Sequence, residues 1–176
     1  PSKKAKFATL ELTKNIDNVA DRFSVLIGGK DKAAAFYRTS FAHLFAYVQH
    51  RIPEITDELY KIVDAMKAGF GWQHGPFQIW DAIGVAKGIE LMEAEGLELA
   101  SWVQEMLDSG NHSFYTVKDG ATYYYDIPSK SQTKIPGQDS FIILDNIRKT
   151  TEVFKNSGVS IQDLGDGILN VEFQSK

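Results

Sequence analysis

The segment Asp57–Gly84, with the sequence DELYKIVDAMKAGFGWQHGPFQIWDAIG, decides the fold. Its first half places apolar residues at helical spacing, namely Leu59, Ile62, Val63 and Met66. Thr56 is expected to cap the start of this helix and Gly69 to end it. A turn rich in glycine and aromatic residues follows, and Pro76 suits the first position of a second helix. That helix presents Phe77, Trp80 and Ile83 and ends at Gly84, so the segment predicts a packed helix–turn–helix.

Apolar residues at helical spacing predict further helices on both sides of this segment. Their expected ranges are Ile16–Leu26, Lys32–His50, Val85–Glu95 and Leu97–Leu107. Pro53 is expected to stop the second of these, because proline lacks a backbone N–H and disfavours helix before it.

The composition changes after Gly110 to aromatic and β-branched residues. Runs at Ser113–Val117 and Ala121–Tyr125 surround Lys118-Asp119-Gly120, which predicts a β-hairpin. Pro128–Gly137 is interpreted as a linker or surface loop, and Phe141–Ile147 as a short helix. The last strand-like runs are Thr151–Lys155, Val159–Leu164 and Ile168–Phe173, with a turn at Gly165-Asp166-Gly167. The expected fold class is therefore mainly α, a helical bundle with a β-hairpin and a small C-terminal β-meander.

Bulk composition excludes several classes of protein. Hydrophobic residues make up 43% of the 176 residues, which is typical of a globular chain with a core. The net charge of -4 gives no electrostatic reason to expect nucleic-acid or anionic-membrane binding. No apolar run approaches the roughly 20 residues of a membrane span. Cysteine is absent, which rules out disulfides and fits the expectation of a cytoplasmic protein.

The ends of the chain are expected to be cut from a longer protein. Pro1 stands where an initiator Met is expected, with no apolar core of a signal peptide behind it. The last residues, Val171–Lys176, stop within a strand-like pattern.

Motifs for catalysis or cofactor binding are missing from the sequence. No G-x-G-x-x-G follows a strand, and no G-x-S-x-G is present. The four histidines, His43, His50, His74 and His112, do not have the spacing of metal ligands. No catalytic, cofactor-binding or metal-binding residue is therefore predicted.

Two groups of side chains allow both a functional and a structural interpretation. His74, Trp72, Trp80 and Asp81 form the densest polar and aromatic group, which is either a ligand-contacting loop or packing of the helix–turn–helix. Packing is favoured, because large aromatic residues near glycines usually fill space. Arg38, Arg51 and Lys67 could together bind phosphate groups of a ligand, but ordinary solvated charge is favoured.

The central segment resembles the C-terminal domain of 3-hydroxyacyl-CoA dehydrogenases. Ile62–Gly71 is similar to the family's I-D-x-A-M-K-x-G-x-G, and Gly75–Gly84 to its G-P-F-E-x-x-D-x-x-G. Val63 stands near the acidic position, and Gln78 replaces Glu. Where the family carries an Asn-Arg pair close to substrate, this chain has Tyr37-Arg38, so the Asn is missing. The bundle is thus expected to be of this dehydrogenase C-terminal type.

The rest of the chain extends the resemblance. The hairpin from Phe114-Tyr115 to Tyr125-Asp126 resembles the G-F-Y-x-Y tail of that domain, and Gly158–Lys176 resembles the opening of an enoyl-CoA hydratase (crotonase) domain in bifunctional proteins. The implied organisation is a helical domain over 1–127, a linker over 128–157 and the first hydratase-like strands over 158–176.

The resemblance implies an accessory or dimerisation-type domain of a fatty-acid β-oxidation enzyme. The larger protein would oxidise 3-hydroxyacyl-CoA to 3-oxoacyl-CoA with NAD, but the family's nucleotide-binding glycines and catalytic His and Glu belong to a Rossmann domain that this chain lacks. The isolated chain is expected to be inactive and to pack against the Rossmann, first helical and crotonase domains of its parent. Residues expected to form a wall of the acyl-CoA site or a domain interface are Tyr37, Arg38, Trp72, His74, Gly75, Pro76, Phe77, Trp80 and Asp81. The alternative is a free-standing binding or oligomerisation module that uses the aromatic helix–turn–helix as its surface.

Overall fold

The computed structural model describes residues 5–148 and 150–173, with only the backbone of Pro53. It forms two compact units. The first contains the described residues up to Thr116 together with Tyr124–Thr133, and the second contains Val117–Tyr123 and the described residues from Lys134 onward. The expectations about Pro1–Lys4 and Gln174–Lys176 lie outside the described residues. The domain boundaries at 127 and 157 stay a prediction.

Helices dominate the first unit, and short strands the second. The helices of the first unit are α1 (Ala8–Thr13), α2 (Val19–Gly28), α3 (Lys32–Ile55), α4 (Leu59–Phe70), α5 (Pro76–Ile83), α6 (Val85–Ala94) and α7 (Ser101–Asp108). One sheet has the order β1 (Tyr115–Lys118), β2 (Ala121–Asp126) and β3 (Ser131–Lys134). The second unit adds a 3₁₀ turn (Gln138–Ser140), α8 (Leu144–Ile147) and the sheet β4 (Glu152–Lys155), β5 (Val159–Gly165) and β6 (Ile168–Phe173). The predicted fold class, a helical domain with small C-terminal strands, is confirmed.

Stacked aromatic rings form the centre of the first unit. Tyr37, Phe41 and Phe45 follow one another at four-residue spacing along α3, so their rings lie on one face, 5.7 and 6.0 Å apart. Phe45 stacks on Trp80 of α5 at 4.8 Å. Trp80 in turn contacts Phe114, which precedes the hairpin, at 4.9 Å. This chain of rings joins α3, α5 and the start of the hairpin into one core.

Helix α3 continues through Pro53 to Ile55, so the predicted stop at that proline is wrong. A residue at position 53 would normally donate its N–H to the carbonyl of Gln49, and proline cannot. In this structure the indole Nε1 of Trp102 donates to that carbonyl instead, at 2.9 Å. The hydrogen bond lost at Pro53 is therefore replaced by a side chain from α7, which removes part of the cost of proline in the helix.

The side chain of Gln49 is fully buried and ties α3 to the segment before α7. Its Nε2 donates to the carbonyl of Glu98 at 2.8 Å, and its Oε1 accepts from the backbone N–H of Ala100 at 2.9 Å. Residues 97–100 consequently run as irregular backbone, and α7 begins at Ser101 rather than at the predicted Leu97.

The ends of α4 differ from the prediction. Thr56 ends α3, with its N–H bonded to the carbonyl of Ile52 at 2.9 Å, and Glu58 is the residue before α4. The helix closes at Gly71, two residues later than the predicted Gly69, because Gly71 adopts the left-handed conformation (φ 65°) that suits glycine. As predicted, Pro76 is the first residue of α5, and Gln78 Oε1 accepts from the Gly75 N–H at 3.1 Å.

The two predicted tight turns are present, and their central residues have positive φ. Asp119 and Gly120 have φ of 50° and 74°, and Gly165, Asp166 and Gly167 have φ of 87°, 51° and 77°. Positive φ at both central residues matches the twist of the flanking strands. The expected short helix is reduced to α8, and the expected loop over Pro128–Gly137 instead contains β3. Pairing explains β3, since β3 lies next to β2 in the sheet.

The sheet of the second unit has one buried polar face and one exposed apolar face. Ser160 and Gln162 of β5 are buried. The opposite face carries Ile161 and its cross-strand partner Val171. Its exposed apolar side chains include Phe154, Leu169, Val171 and Phe173.

Candidate functional site

A concavity of the first unit lies between α2 and the turn that joins α4 to α5. Its volume is about 340 Å³, and its lining residues are Val19, Arg22, Phe23, Trp72, Gln73, His74 and Ile79. Helix α2 supplies one wall, because Val19, Arg22 and Phe23 are three to four residues apart and share a face. The turn lies between Gly71, the residue after α4, and Gly75, the residue before α5.

Gly75 is required by close packing beneath the pocket. A Cβ at this position would lie 2.6 Å from Cγ2 and 2.8 Å from Cα of Val63 in α4. The absence of a side chain therefore lets the chain turn tightly from α4 into α5, which brings Trp72 and His74 to the pocket rim.

The imidazole of His74 lines this pocket and lacks a hydrogen-bond partner. Its Nε2 is buried and makes no hydrogen bond within the described part of the chain. Burial lowers the pKa of His74, and the charges of Lys67 and Arg22 lower it further. The ring is therefore neutral near pH 7, so it can offer a ligand either a donor or an acceptor.

Two cations near His74 have no acidic partner. Neither Arg22 nor Lys67 belongs to an ion pair among the described residues. Arg22 donates through Nε and Nη2 to the carbonyl of Ile16, at 2.8 and 2.5 Å, which fixes its guanidinium beside α2. The pocket thus combines apolar walls with an uncompensated positive charge.

The structure separates the predicted site residues into two groups. Trp72 and His74 line the pocket, whereas Pro76, Phe77 and Trp80 are buried. Phe77 and Trp80 have no exposed surface, and the indole of Trp80 donates to the carbonyl of Val85 at 3.0 Å. Phe77 and Trp80 of α5 are therefore part of the core, and they supply no part of an exposed helix–turn–helix surface.

Asp81 fastens the hairpin to α5. Its two carboxylate oxygens accept from the backbone N–H groups of Phe114 and Tyr115, both at 2.8 Å. Burial raises the pKa of Asp81 to about 7, against the lowering effect of these two hydrogen bonds. A carboxyl group that titrates near neutral pH is a candidate acid or base. Both of its oxygens are occupied by backbone donors, however, so its observed role is to position the hairpin.

The hydroxyl of Tyr115 is also buried, without a hydrogen-bond partner in the described structure. Burial raises its pKa well above the usual value for tyrosine, and the charge of Asp81 raises it further. The hydroxyl is therefore protonated at every pH at which the protein is handled.

Tyr37 and Arg38 have roles within the bundle. Tyr37 is the first ring of the α3 stack, 5.7 Å from Phe41. Arg38 Nη1 donates to the carbonyls of Ile27 and Gly29, both at 2.7 Å, at the C-terminal end of α2. Both side chains stabilise the junction of α2 and α3.

The three basic residues considered for binding phosphate groups do not form one cluster. Arg38 and Arg51 lie on the same helix thirteen residues apart, which corresponds to roughly 20 Å. Arg51 pairs with Glu54 and lies 5.8 Å from the ring centre of Tyr47. Lys67 lies on α4, beside His74. These positions indicate that Arg38 and Arg51 do not act together in binding phosphate groups.

The α2 wall of the pocket was not recognised from the sequence. Helical periodicity places Val19 and Phe23 on the apolar face of a predicted helix, which is the available signal. No local pattern shows that this face meets a turn fifty residues later in the chain.

Chemically, the pocket suits binding more than bond making. Its lining residues include one imidazole, that of His74, and no carboxylate or hydroxyl to act with it. Within residues 5–148 and 150–173, no group of three or more His, Cys, Asp or Glu side chains is placed to hold a metal ion. None of the helices described is long and apolar enough to cross a membrane.

Comparison with known proteins gives one informative similarity. A Bacillus subtilis (strain 168) protein described as "Probable 3-hydroxyacyl-CoA dehydrogenase" is 36% identical to this chain over 174 residues. The alignment covers 98% of this chain but 22% of that protein. No family model and no solved structure matches the chain. The predicted relationship to 3-hydroxyacyl-CoA dehydrogenase is supported, and the predicted hydratase part stays a prediction. The chain is thus similar to a segment of a 3-hydroxyacyl-CoA dehydrogenase-related protein and spans about a fifth of its length.

Proposed function

We propose that this chain is an accessory helical domain of a larger protein related to 3-hydroxyacyl-CoA dehydrogenases. The observation that carries the proposal is the 36% identity over nearly the whole chain to a segment of such a protein. The larger protein would oxidise 3-hydroxyacyl-CoA to 3-oxoacyl-CoA with NAD, and this domain would supply packing surface rather than catalytic groups.

The positions of the residues that match the family motif support a structural role for this domain. In the segment that resembles the dehydrogenase family, Phe77 and Trp80 are fully buried, and Asp81 anchors the hairpin through backbone N–H groups. Gly75 and Pro76 shape the entry into α5. The matching residues therefore preserve the architecture of the domain, and Tyr37-Arg38 replaces the family's Asn-Arg pair.

The outer face of α3 offers a surface on which another domain can pack. Phe36 and Tyr47 are 67% and 66% exposed, and they are eleven residues apart, close to three full helical turns. Both rings therefore project from the same side of the helix, and the Phe36 ring also contacts that of Tyr37 at 5.7 Å. Exposed aromatic side chains that share one face are typical of an interface.

The exposed face of the C-terminal sheet supports a further domain after the helical unit. Leu169, Val171 and Phe173 alternate along β6 and are all exposed, although a folded sheet normally covers such a face. We propose that this sheet begins the enoyl-CoA hydratase-like domain that the sequence of Gly158–Lys176 resembles. The Rossmann, first helical and hydratase-like domains would then be the packing partners.

The first experiment measures activity. The purified chain is incubated with NAD and a short-chain 3-hydroxyacyl-CoA, and NADH fluorescence is followed. No turnover is expected, because the chain lacks a dinucleotide fingerprint. NAD-linked turnover by the chain alone would refute the accessory role.

The second experiment measures association. The Bacillus subtilis relative is expressed without the segment that matches this chain, and the chain is added in trans. A complex is expected by size-exclusion chromatography, and Phe36→Glu with Tyr47→Glu is expected to weaken it. Gln104→Glu adds one negative charge, half the charge of the double variant, at an exposed position of α7 and is the control. No complex, or equal weakening by the control, would contradict the proposal.

The alternative, a free-standing binding module, loses support because the α5 aromatics are buried. Phe70 and the half-buried Trp72 are what remains of its proposed surface. Reading the coding sequence on both sides of this segment separates the two hypotheses. A dinucleotide-binding unit upstream supports the accessory domain, and stop codons at both ends support the module.

A further inference from the structure

The pocket between α2 and the α4–α5 turn has the size of a small-molecule site. Its volume of about 340 Å³ equals roughly 11 groups of the size of water, at about 30 Å³ each. This lies at the lower end of the range of known ligand pockets. A ligand of about ten non-hydrogen atoms would fill it.

The walls of the pocket select an apolar ligand body. Phe23 and Trp72 supply aromatic surface, and Val19 and Ile79 supply aliphatic surface. Trp72 is half-buried, so part of the residue is exposed to solvent. Covering these walls removes apolar surface from water, which is the main favourable term in binding.

The charges around the pocket select an anionic head group. Arg22 lines the pocket, and the charge of Lys67 lowers the pKa of His74. Neither cation is paired with a carboxylate among the described residues. Arg22 uses one N–H of Nε and one of Nη2 for the carbonyl of Ile16, which leaves three N–H groups on Nη1 and Nη2 for a ligand. This remaining pair of nitrogens matches the two oxygens of a carboxylate.

We propose that this pocket binds a small carboxylate with an apolar body of about eight carbon atoms. The carboxylate contacts Arg22 and His74 at the rim, and the apolar body covers Phe23, Trp72 and Ile79. This binding site is separate from the packing role proposed above, and it can be present whether or not the chain is an accessory domain.

Octanoate is the probe, and octanamide is its uncharged control of nearly the same shape. Binding is followed by NMR through the three indole N–H signals, which the variant Trp72→Phe assigns. The indoles of Trp80 and Trp102 are hydrogen-bonded inside the core, at 3.0 and 2.9 Å. Octanoate is therefore expected to shift the Trp72 signal saturably and to leave the other two in place. A dissociation constant of about 1 mM is expected for a ligand of this size.

Two variants test the assignment of residues. Arg22→Gln keeps a donor for the carbonyl of Ile16 but removes the charge, and it is expected to weaken octanoate about tenfold without affecting octanamide. Val19→Phe fills the pocket and is expected to weaken both ligands. Arg51→Gln removes a cation from the far end of α3 and is expected to change neither affinity.

Several results would overturn the proposal. These are no saturable shift of Trp72 up to about 10 mM octanoate, equal affinity for octanoate and octanamide, or equal shifts of all three indoles. Equal weakening by Arg51→Gln and Arg22→Gln would also overturn it. If either pocket variant fails to fold, the comparison of the two ligands on the unaltered chain decides.

Discussion

Replacing Gly88 with alanine sets intrinsic helix propensity against tertiary packing. Gly88 lies inside α6, where alanine is favoured over glycine by about 1 kcal/mol. A Cβ at this position, however, would lie 2.1 Å from Nε1 and 2.4 Å from Cδ1 of Trp80. Ordinary carbon contacts are about 3.5–4.0 Å long, so the indole would have to move by more than about 1 Å.

That movement disturbs the centre of the core. Trp80 is fully buried, stacks on Phe45 at 4.8 Å and donates to the carbonyl of Val85. Overpacking costs about 1–3 kcal/mol, and weakening a buried hydrogen bond costs about the same again. After the gain in helix propensity, Gly88→Ala is expected to lower the free energy of unfolding by about 3 kcal/mol.

Gly69→Ala is the matched control. Gly69 lies in α4, and nothing lies within 4 Å of the position its Cβ would take, so alanine is expected to stabilise by up to about 1 kcal/mol. The assay is urea unfolding followed by tryptophan fluorescence, because all three tryptophans belong to the first unit. If Gly88→Ala is as stable as the unaltered protein, the close packing of α6 on Trp80 is refuted.

Three further changes test other features of the structure. The pKa of Asp81 is raised from 3.8 to about 7 by burial, so between these values the folded state binds a proton that the unfolded state has lost. Stability is therefore expected to fall as pH rises from about 4 to 7, and Asp81→Asn should remove this slope in urea titrations. Gln49→Ala leaves the Glu98 carbonyl and the Ala100 N–H unpaired and is expected to cost about 2–4 kcal/mol in the same assay. Val171→Lys places a charge on the exposed apolar sheet face and should reduce concentration-dependent light scattering.

Each of these predictions has a control or a result that would contradict it. A pH-independent stability between pH 4 and 7 would mean that the two backbone hydrogen bonds to Asp81 keep it ionised. Gln104→Ala alters an exposed glutamine that bonds Asp108 and is expected to cost less than about 0.5 kcal/mol. For Val171→Lys the control is Gln104→Lys, which adds the same positive charge on helix α7 and should leave the light scattering unchanged. A cost for Gln49→Ala as small as that of the control would argue against its bridging role.

Most of the helices and turns could be predicted because their signals are local. The apolar spacing in Leu59–Met66 and the proline at the start of α5 depend on a few neighbouring residues. The same holds for Asp119-Gly120, where the turn geometry requires residues that tolerate positive φ. Helix α1 was missed because six residues are too few to show a period. It is held instead by a distant contact, in which its Thr9 N–H donates to Asp31 at 2.9 Å.

The candidate site could be predicted in part. The group of Trp72, His74, Trp80 and Asp81 stood out by composition, and two of its members line the pocket. Composition cannot distinguish a ring that faces the core from one that faces a cavity. Trp72 and Trp80 differ in this respect, because Trp80 lies on α5 facing α3 and Trp72 lies in the turn.

The sequence by itself determined most of the longer helices, the tight turns and the mainly α fold, since these depend on interactions within one or two turns of chain. The tertiary structure decided that α3 passes through Pro53, because the carbonyl left free there accepts a hydrogen bond from Trp102, some fifty residues away. It also decided that Asp57–Gly84 contributes both core and pocket. The face of α5 that packs against α3 is part of the core, and the turn before α5 lies against α2. The spacing of residues within the segment predicts neither contact.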